Sequence, residues 1–499
     1  MGHAAGVDVG TSNVKVVLVA PDGRALASAA RPLHTTTAGP VSTQDAEALW
    51  HAVVDSFAEV TAAAPAAAAD VAVLGVCSQY SSIVPVDAGG RPLGPMLMWT
   101  DTRGSDACWA IMERHPEAFG IWVERHGIPT VGAGLSLSHV LWAQQAEPEL
   151  HAATTAYLEP MDYVTARLTG RITATQASTF TTQLCDNRTV GVTAYDPDLV
   201  AMSGIDASKL PPLVELDAFV GEVRSDVAQA LGLPAGVAVL AGMNDSHAGA
   251  FATGAFERDR LGVVIGTTAV VLDDVDHHAA DLDHEVVSMP APLPGRYLVW
   301  AENGVAGRSV EQALALLDAP FAELDAMVAA SAPGAGRVLF LPWLAGSLSP
   351  SANRSMRGGW IDVGLESTRA DLVRAAVEGT ARNLRWLLPH VEAFSGHTPR
   401  TIAFGGGAAR SPAWAQAIAD VLGREVAVLA EPGLAAATAV ALVALRRRDG
   451  GDPLDAAVPI ARLVEPDPST AAEHEELQAQ FEVAFEANLA ICQALHPVL

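Results

Sequence analysis

With 499 residues, half of them hydrophobic and 17% charged, the chain is long enough for roughly two to four domains with full cores and too apolar to be disordered. Its 57 acidic residues against 30 basic ones leave a formal net charge of −27. That balance excludes partners held by broad basic patches, nucleic acid and anionic membranes among them, yet it permits an anionic ligand bound locally by backbone amides and a metal. The four cysteines, Cys77, Cys108, Cys185 and Cys492, are scattered without metal-ligand spacing, and the Ala-rich runs are short or broken by Pro. A strand pattern begins within a few residues of the start, leaving no room for a signal peptide. We expect reduced, buried thiols in a cytoplasmic protein with no membrane attachment.

In chain order, the first pattern is Gly6-Val7-Asp8-Val9-Gly10-Thr11-Ser12-Asn13-Val14-Lys15-Val16-Val17-Leu18-Val19, two β-branched runs around a hydroxyl-rich turn, which predicts a β-hairpin. Asp8 lies inside an apolar run, where a carboxylate costs several kcal/mol unless compensated. It reads either as a capping Asp in an ordinary hairpin or as a metal-side carboxylate beside a phosphate loop. A strand is expected over 25–30, a helix over 45–63, and strands over 71–76 and 83–86. The stretch 105–174 reads as helical with loops, including helices over 137–145 and 157–168. A helix from Ser225 stops at Gly232-Leu233-Pro234, and a buried strand over 237–241 leads to Gly242-Met243-Asn244-Asp245-Ser246.

About 255 residues after the first turn the pattern returns: an apolar run, Gly266-Thr267-Thr268, and a second apolar run to Leu272. This predicts two similar domains face to face, in an α/β protein with mixed sheets. Further on, 338–341 reads as a strand, 371–395 as a long helix, and 401–404 as a strand feeding Gly405-Gly406-Gly407. A helix follows from Ser411 and Pro412 to Leu422, then a strand over 425–429, an apolar helix over 433–447 and an acidic amphipathic helix over 470–495. We divide the chain into 1–241, 242–469 and a tail, 470–499. The tail helix packs on the N-terminal domain or on a second subunit, the latter compatible with a homodimer.

Three Gly-centred turns, at Gly10, Gly266 and Gly405, follow apolar strands, where bare backbone and neighbouring hydroxyls suit phosphate. No Gly-x-x-x-x-Gly-Lys-Ser/Thr stretch occurs, which rules out a P-loop, and the Gly405 run is equally a plain strand-to-helix turn. Asp245 reads as a general base for an attacking hydroxyl, or as a helix N-cap. His277, His278, Asp281, Asp283 and His284 fit no metal motif and read as a solvated acidic loop.

Together, Asp8-x-Gly10-Thr11-Ser12-x-x-Lys15, Trp99-x-Asp101-x-Arg103, Asp245, Gly266-Thr267-Thr268 and Gly405-Gly406-Gly407-Ala408-x-Arg410 resemble, in this order, the FGGY family of carbohydrate kinases. The likeness spans about 4 to 445 and is nearest to the xylulokinase branch, also through Leu341-Pro342-Trp343-Leu344-x-Gly346 and Arg357-Gly358-Gly359. It implies two ribonuclease-H-like (actin-like ATPase) domains around a deep cleft, with ATP and Mg²⁺ as cofactors and a small sugar as substrate. Under it, Asp8 and Asp245 flank Mg²⁺, and Asp245 is also the base. Gly10, Thr11, Ser12 and Lys15 form one phosphate loop, and Gly266, Thr267 and Thr268 the other. Gly405, Gly406 and Ala409 hold the adenosine, while Gln79, Tyr80, Trp99, Asp101, Arg103 and Asn244 surround the sugar.

This chain departs from xylulokinases where they carry Gln-Met-His-Gly and it has Gln79-Tyr80-Ser81-Ser82. It also departs at Ser246 and at His139-Val140-Leu141-Trp142. The ATP motifs are intact, so the departures bear on the sugar alone. The expected reaction is phosphorylation of a ketopentose such as D-xylulose to its 5-phosphate. Other polyols or aldonates (gluconate, glycerol or erythritol type) stand as alternative substrates, and a non-kinase actin-like ATPase as an alternative class.

Overall fold

The computed structural model describes residues 2–496. Two mixed sheets dominate it. In the first, His3–Val9, Asn13–Val19 and Ala25–Pro32 form an antiparallel meander. Beyond His3–Val9, Val71–Ser78 and then Ala238–Leu240 add in parallel, and Phe219–Glu222 closes that edge antiparallel. The second sheet repeats the plan. Arg260–Ile265, Thr268–Val275 and Tyr297–Val305 make the meander, Thr401–Gly405 and Glu425–Leu429 add in parallel, and Ile460–Val464 closes the edge. The duplication expected from one short motif thus extends to strand order and direction, as two facing ribonuclease-H-like domains require.

What joins the lobes is a pair of helices lying between the sheets. Ala435–Asp449, from the second half of the chain, crosses onto the first sheet, while Asp245–Thr253 lies against the second. Ala435–Asp449 is almost entirely small and aliphatic, because it is buried on several sides at once. Its approach to the first sheet is so close that a Cβ on Gly6 would sit 1.9 Å from the Ala437 carbonyl oxygen, and one on Gly75 2.4 Å from that of Val440. Glycine in these strands is a packing requirement. Arg447, in the last turn of the helix, pairs with Asp217 at 3.0 Å and donates to the Pro292 carbonyl at 3.1 Å, tying both lobes to the cationic helix end.

The outer faces are covered by Ala46–Ala63 on the first sheet and by Arg369–Ser395 and Pro412–Leu422 on the second. Two expectations need correction. The stretch 157–168 is not one helix: Ala156–Leu158 is a strand paired with Val84–Val86, and the helix is Pro160–Thr169. Pro160 forces its predecessor, Glu159, into extended backbone, so the helix starts there. The tail helix, Ala471–Leu495, packs on the C-terminal lobe and not on the N-terminal domain, with Phe481 and Phe485 against Trp343 and Trp386. All four cysteines are free and buried. Among the described residues no helix is long and apolar enough to cross a membrane.

Candidate active site

Three parallel strands of the first sheet, His3–Val9, Val71–Ser78 and Met243–Asn244, end side by side, with Val9 opposite Ser78 and Ser78 opposite Asn244. Carboxyl ends of parallel strands are where α/β sheets present ligand groups, and here they deliver Asp8, Gln79 and Asp245 to one place. Asn244 caps the helix that follows: its Oδ1 accepts from the backbone N–H of His247 at 2.8 Å and lies 2.7 Å from His247 Nδ1. Asp245 is therefore the first helical residue and not the cap, with its side chain partly open to the cleft. Asn244 itself is fully buried. Burial first, and then the negative charge of Asp8, push the Asp245 carboxyl up to about 7. A carboxylate poised there suits proton acceptance near neutral pH.

The first hairpin turns through Gly10-Thr11-Ser12, with the Gly10 N–H donating to the Asn13 carbonyl at 2.9 Å. Its tip is braced from three directions. Gln44 Nε2 donates to the Thr11 carbonyl at 2.7 Å, Thr11 Oγ1 donates to Gln79 Oε1 at 2.9 Å, and Trp99 Nε1 reaches Thr11 Oγ1 at 3.4 Å. Ser12 remains exposed. Across the strands, Asp8 and Lys15 are cross-strand partners and pair at 3.1 Å. Asp8 is the main reason the Lys15 ammonium is held above its ordinary pKa, and the charge of Arg410, from the other lobe, pulls the other way.

In the second hairpin the Gly266 N–H donates to the Thr268 carbonyl at 2.9 Å, with Gly266 and Thr267 exposed. The start of helix Gly307–Leu316 presses on it: the Ala306 N–H donates to the Thr267 carbonyl at 3.1 Å, and a Cβ on Gly307 would lie 2.0 Å from the Gly266 carbonyl oxygen. Gly406, at φ 83°, abuts the same hairpin, its hypothetical Cβ 2.4 Å from the Ile265 carbonyl oxygen. Gly405 ends its strand, Gly407 is open, and Ala409 is buried behind the loop. The second hairpin and the Gly405–Gly407 loop thus form one wall, and the first hairpin forms the other.

Beside Asp245, Tyr80 Oη and Ser246 Oγ are 3.4 Å apart. Burial and the Asp245 charge drive the Tyr80 phenol upward, so it stays neutral. Arg103 is committed: it forks onto Asp101 at 2.7–3.0 Å and its guanidinium lies 3.8 Å over the Trp142 ring. Asp101 also accepts from the Ser42 N–H at 2.9 Å. Burial would raise Asp101, but these bonds outweigh it and leave it below the usual range. His139 is buried and held down to about 4 by that burial, its Nε2 3.2 Å from the Ser81 carbonyl oxygen.

Reading the sequence missed Gln44, Gly307 and Glu302. Glu302 faces the same space from the second lobe, bonded to Thr268, and burial raises it to about 7. An acid inside the apolar strand Tyr297–Val305 was a signal of the kind that drew attention to Asp8. His277, His278, Asp281, Asp283 and His284 do not gather into a ligand cluster among the described residues. Asp8 and Asp245 offer carboxylate oxygens, the ligand type a hard cation such as Mg²⁺ takes.

A cleft between duplicated lobes, with a glycine-hydroxyl hairpin on each side and a carboxylate poised near neutrality between them, defines a phosphotransferase of the actin-like ATPase type. The family assignment follows. The chain belongs to the FGGY family of carbohydrate kinases, whose N-terminal domain model matches residues 3–252 and whose C-terminal domain model matches residues 203–447. It is 29% identical to a xylulose kinase of Staphylococcus epidermidis, over 84% of this chain and 83% of that one. It is 25% identical to a gluconokinase of Bacillus subtilis, over 85% and 83%. The crystal structure of a xylulose kinase from Rhodospirillum rubrum shares the fold with a TM-score of 0.83 at 24% identity, over 98% and 100% of the two chains. The protein is a sugar kinase.

Proposed function

We propose that this kinase phosphorylates a neutral ketopentose of the D-xylulose type at its 5-hydroxyl, with ATP as donor and Mg²⁺ as cofactor. The observation that carries the substrate reading is the charge of the sugar side. Arg103, the cation the motif offers to a substrate, is engaged by Asp101 and Trp142, and Lys15 is engaged by Asp8. Asp245 and Glu302 then leave the pocket acidic. An aldonate would bring its carboxylate beside these acids, with the cation of the sugar motif, Arg103, already engaged. A neutral polyhydroxy substrate meets hydroxyl, amide and carboxylate partners that all accept or donate to hydroxyls. The xylulose kinases among the relatives support the same reading.

In this reading Asp245 accepts the proton of the attacking hydroxyl, and Tyr80 and Ser246, adjacent at 3.4 Å, orient the sugar from one side. The amides and hydroxyls of Gly10–Ser12 and Gly266–Thr268 hold phosphate oxygens, Gly405, Gly406 and Ala409 border the adenosine, and Asp8 with Asp245 holds the metal. Mg²⁺, when bound, supplies charge neutralisation for the transferring phosphate. Closure of the lobes excludes water, which competes with the sugar as acceptor.

The test is ADP release over D-xylulose, D-ribulose, erythritol, glycerol and gluconate. A ketopentose is expected to give the highest kcat/KM and gluconate a value at least about a hundredfold lower, the scale of leaving a buried charge unpaired. Gluconate as the best substrate would overturn the reading.

A further inference from the structure

Away from the cleft, the second sheet carries a group of buried acids that the kinase reaction does not use. Asp273 and Asp274 lie near the end of strand Thr268–Val275, about 17 Å along it from the hairpin at the usual strand rise. Both are buried, Asp273 with no exposure at all and Asp274 with 4%. Opposite them stands His397, just past Gly396, the left-handed residue that ends helix Arg369–Ser395. One ligand atom from each of the three lies within 4.8 Å of the others, the only such grouping of His, Cys, Asp and Glu among the described residues.

The hydrogen bonds leave this group half satisfied in a directed way. Arg296 engages Asp274 Oδ2, and Asp274 Oδ1 has no partner among the described residues. The Asp274 N–H donates to Asp273 Oδ1 at 2.9 Å, and Asp273 Oδ2 has none. Neither ring nitrogen of His397 makes a hydrogen bond there either, although its Nε2 stands 3.3 Å from Asp273 Oδ1. One oxygen of each carboxylate is thus anchored and the other left over, which is how outer partners orient metal ligands. Arg296 is bonded to Asp274 alone, and a cation beside the leftover oxygens of the two buried carboxylates would satisfy them.

From this geometry we infer a second, structural metal site, at which Asp273, Asp274 and His397 bind a divalent transition cation of the Zn²⁺ class. A mixed set of one imidazole and two carboxylates suits Zn²⁺ better than the all-oxygen preference of Mg²⁺. The ion fastens the segment just past the long helix to the far end of a central strand of the second sheet, at a distance from the hairpin turns.

The test is a calorimetric titration of Zn²⁺ alone into the full-length, chelator-stripped protein, with the thermal midpoint measured in parallel. One equivalent should bind and raise the midpoint. Asp273→Asn and His397→Gln should each weaken that binding at least about tenfold while sugar-dependent ADP release stays within about twofold. His397 is at a helix end and partly exposed, so His397→Gln carries the test if Asp273→Asn does not fold. Absence of saturable Zn²⁺ binding, or binding unchanged in the folded variants, overturns the site. So does a midpoint that rises in Asp273→Asn at pH 8 with no response to Zn²⁺, because a proton on Asp273 would then be what neutralises the cluster.

Discussion

The two hairpins share a plan and differ in what they carry. In the first, an acid and a base face one another across the strands, Asp8 and Lys15, and the turn is braced by side chains, Gln44, Gln79 and Trp99. In the second, Val264 occupies the position two residues before the glycine that Asp8 occupies in the first, and the turn is braced by backbone, from the start of helix Gly307–Leu316 and from Gly406. Duplication copied the glycine-hydroxyl turn, while the acid two residues before the glycine occurs only in the first copy. The second lobe places its acid elsewhere: Glu302, on strand Tyr297–Val305, faces the same space and, like Asp8, raises the Asp245 carboxyl.

The substitution expected to have the greatest effect acts on the residue between the hairpins. Asp245→Ala should lower kcat by about 10³-fold, the middle of the range for a general base, while ATP binding measured by calorimetry persists. Near-normal kcat would remove Asp245 from that role. Next, placing an acid in the second hairpin tests whether its apolar character is required. Val264 packs toward Gly249 and Gly405, so Val264→Asp should destabilise the fold by about 3 kcal/mol, read as a lower denaturation midpoint. A neutral outcome would mean that the second hairpin tolerates charge.

Asp8→Asn sharpens the comparison from the other side. It should cut kcat/KM by about a hundredfold at saturating Mg²⁺, the upper end of what a displaced metal partner costs. Because the Asp8 charge is one cause of the raised Asp245 pKa, the acid limb of the kcat/KM profile, expected near pH 7 in the free enzyme, should also move to lower pH. An unmoved limb would break the electrostatic link between the two carboxylates.

The smallest effect concerns stability. The folded-state pKa of Asp245 is raised, so the neutral form is favoured on folding, and the cost of ionising it accrues as pH rises from about 4 through 7. Asp245→Asn should therefore match the parent midpoint near pH 4 and exceed it by a few degrees at pH 8. An equal difference at both pH values would contradict the assigned pKa.

Much of this could be read before any coordinates. Gly10-Thr11-Ser12 and Gly266-Thr267-Thr268 announced their turns because small and hydroxyl residues between β-branched runs leave few alternatives. Asp8 announced itself by being a charge in a buried strand. The corrections fell where local signals mislead. Tyr157 and Leu158 fit a helical face until Pro160 forced the preceding backbone into extended form. Of the two readings of Asp245, general base and helix cap, the cap falls away, because Asn244 one step earlier takes that bond. The sequence places Arg103 in the sugar motif but is silent on its pairing with Asp101 and Trp142, which requires knowing which elements meet.

By itself, then, the sequence determined the fold class, the duplication and the two glycine-hydroxyl turns, all of which rest on patterns local to ten or fifteen residues. Tertiary structure alone decided how the halves are joined. Ala435–Asp449 crosses to the first sheet, yet an element buried on several sides has no polar face to record its orientation. It also decided the balance of charge, both in the cleft and around Asp273, Asp274 and His397, because electrostatic partners are chosen by proximity in space and leave no spacing in the chain.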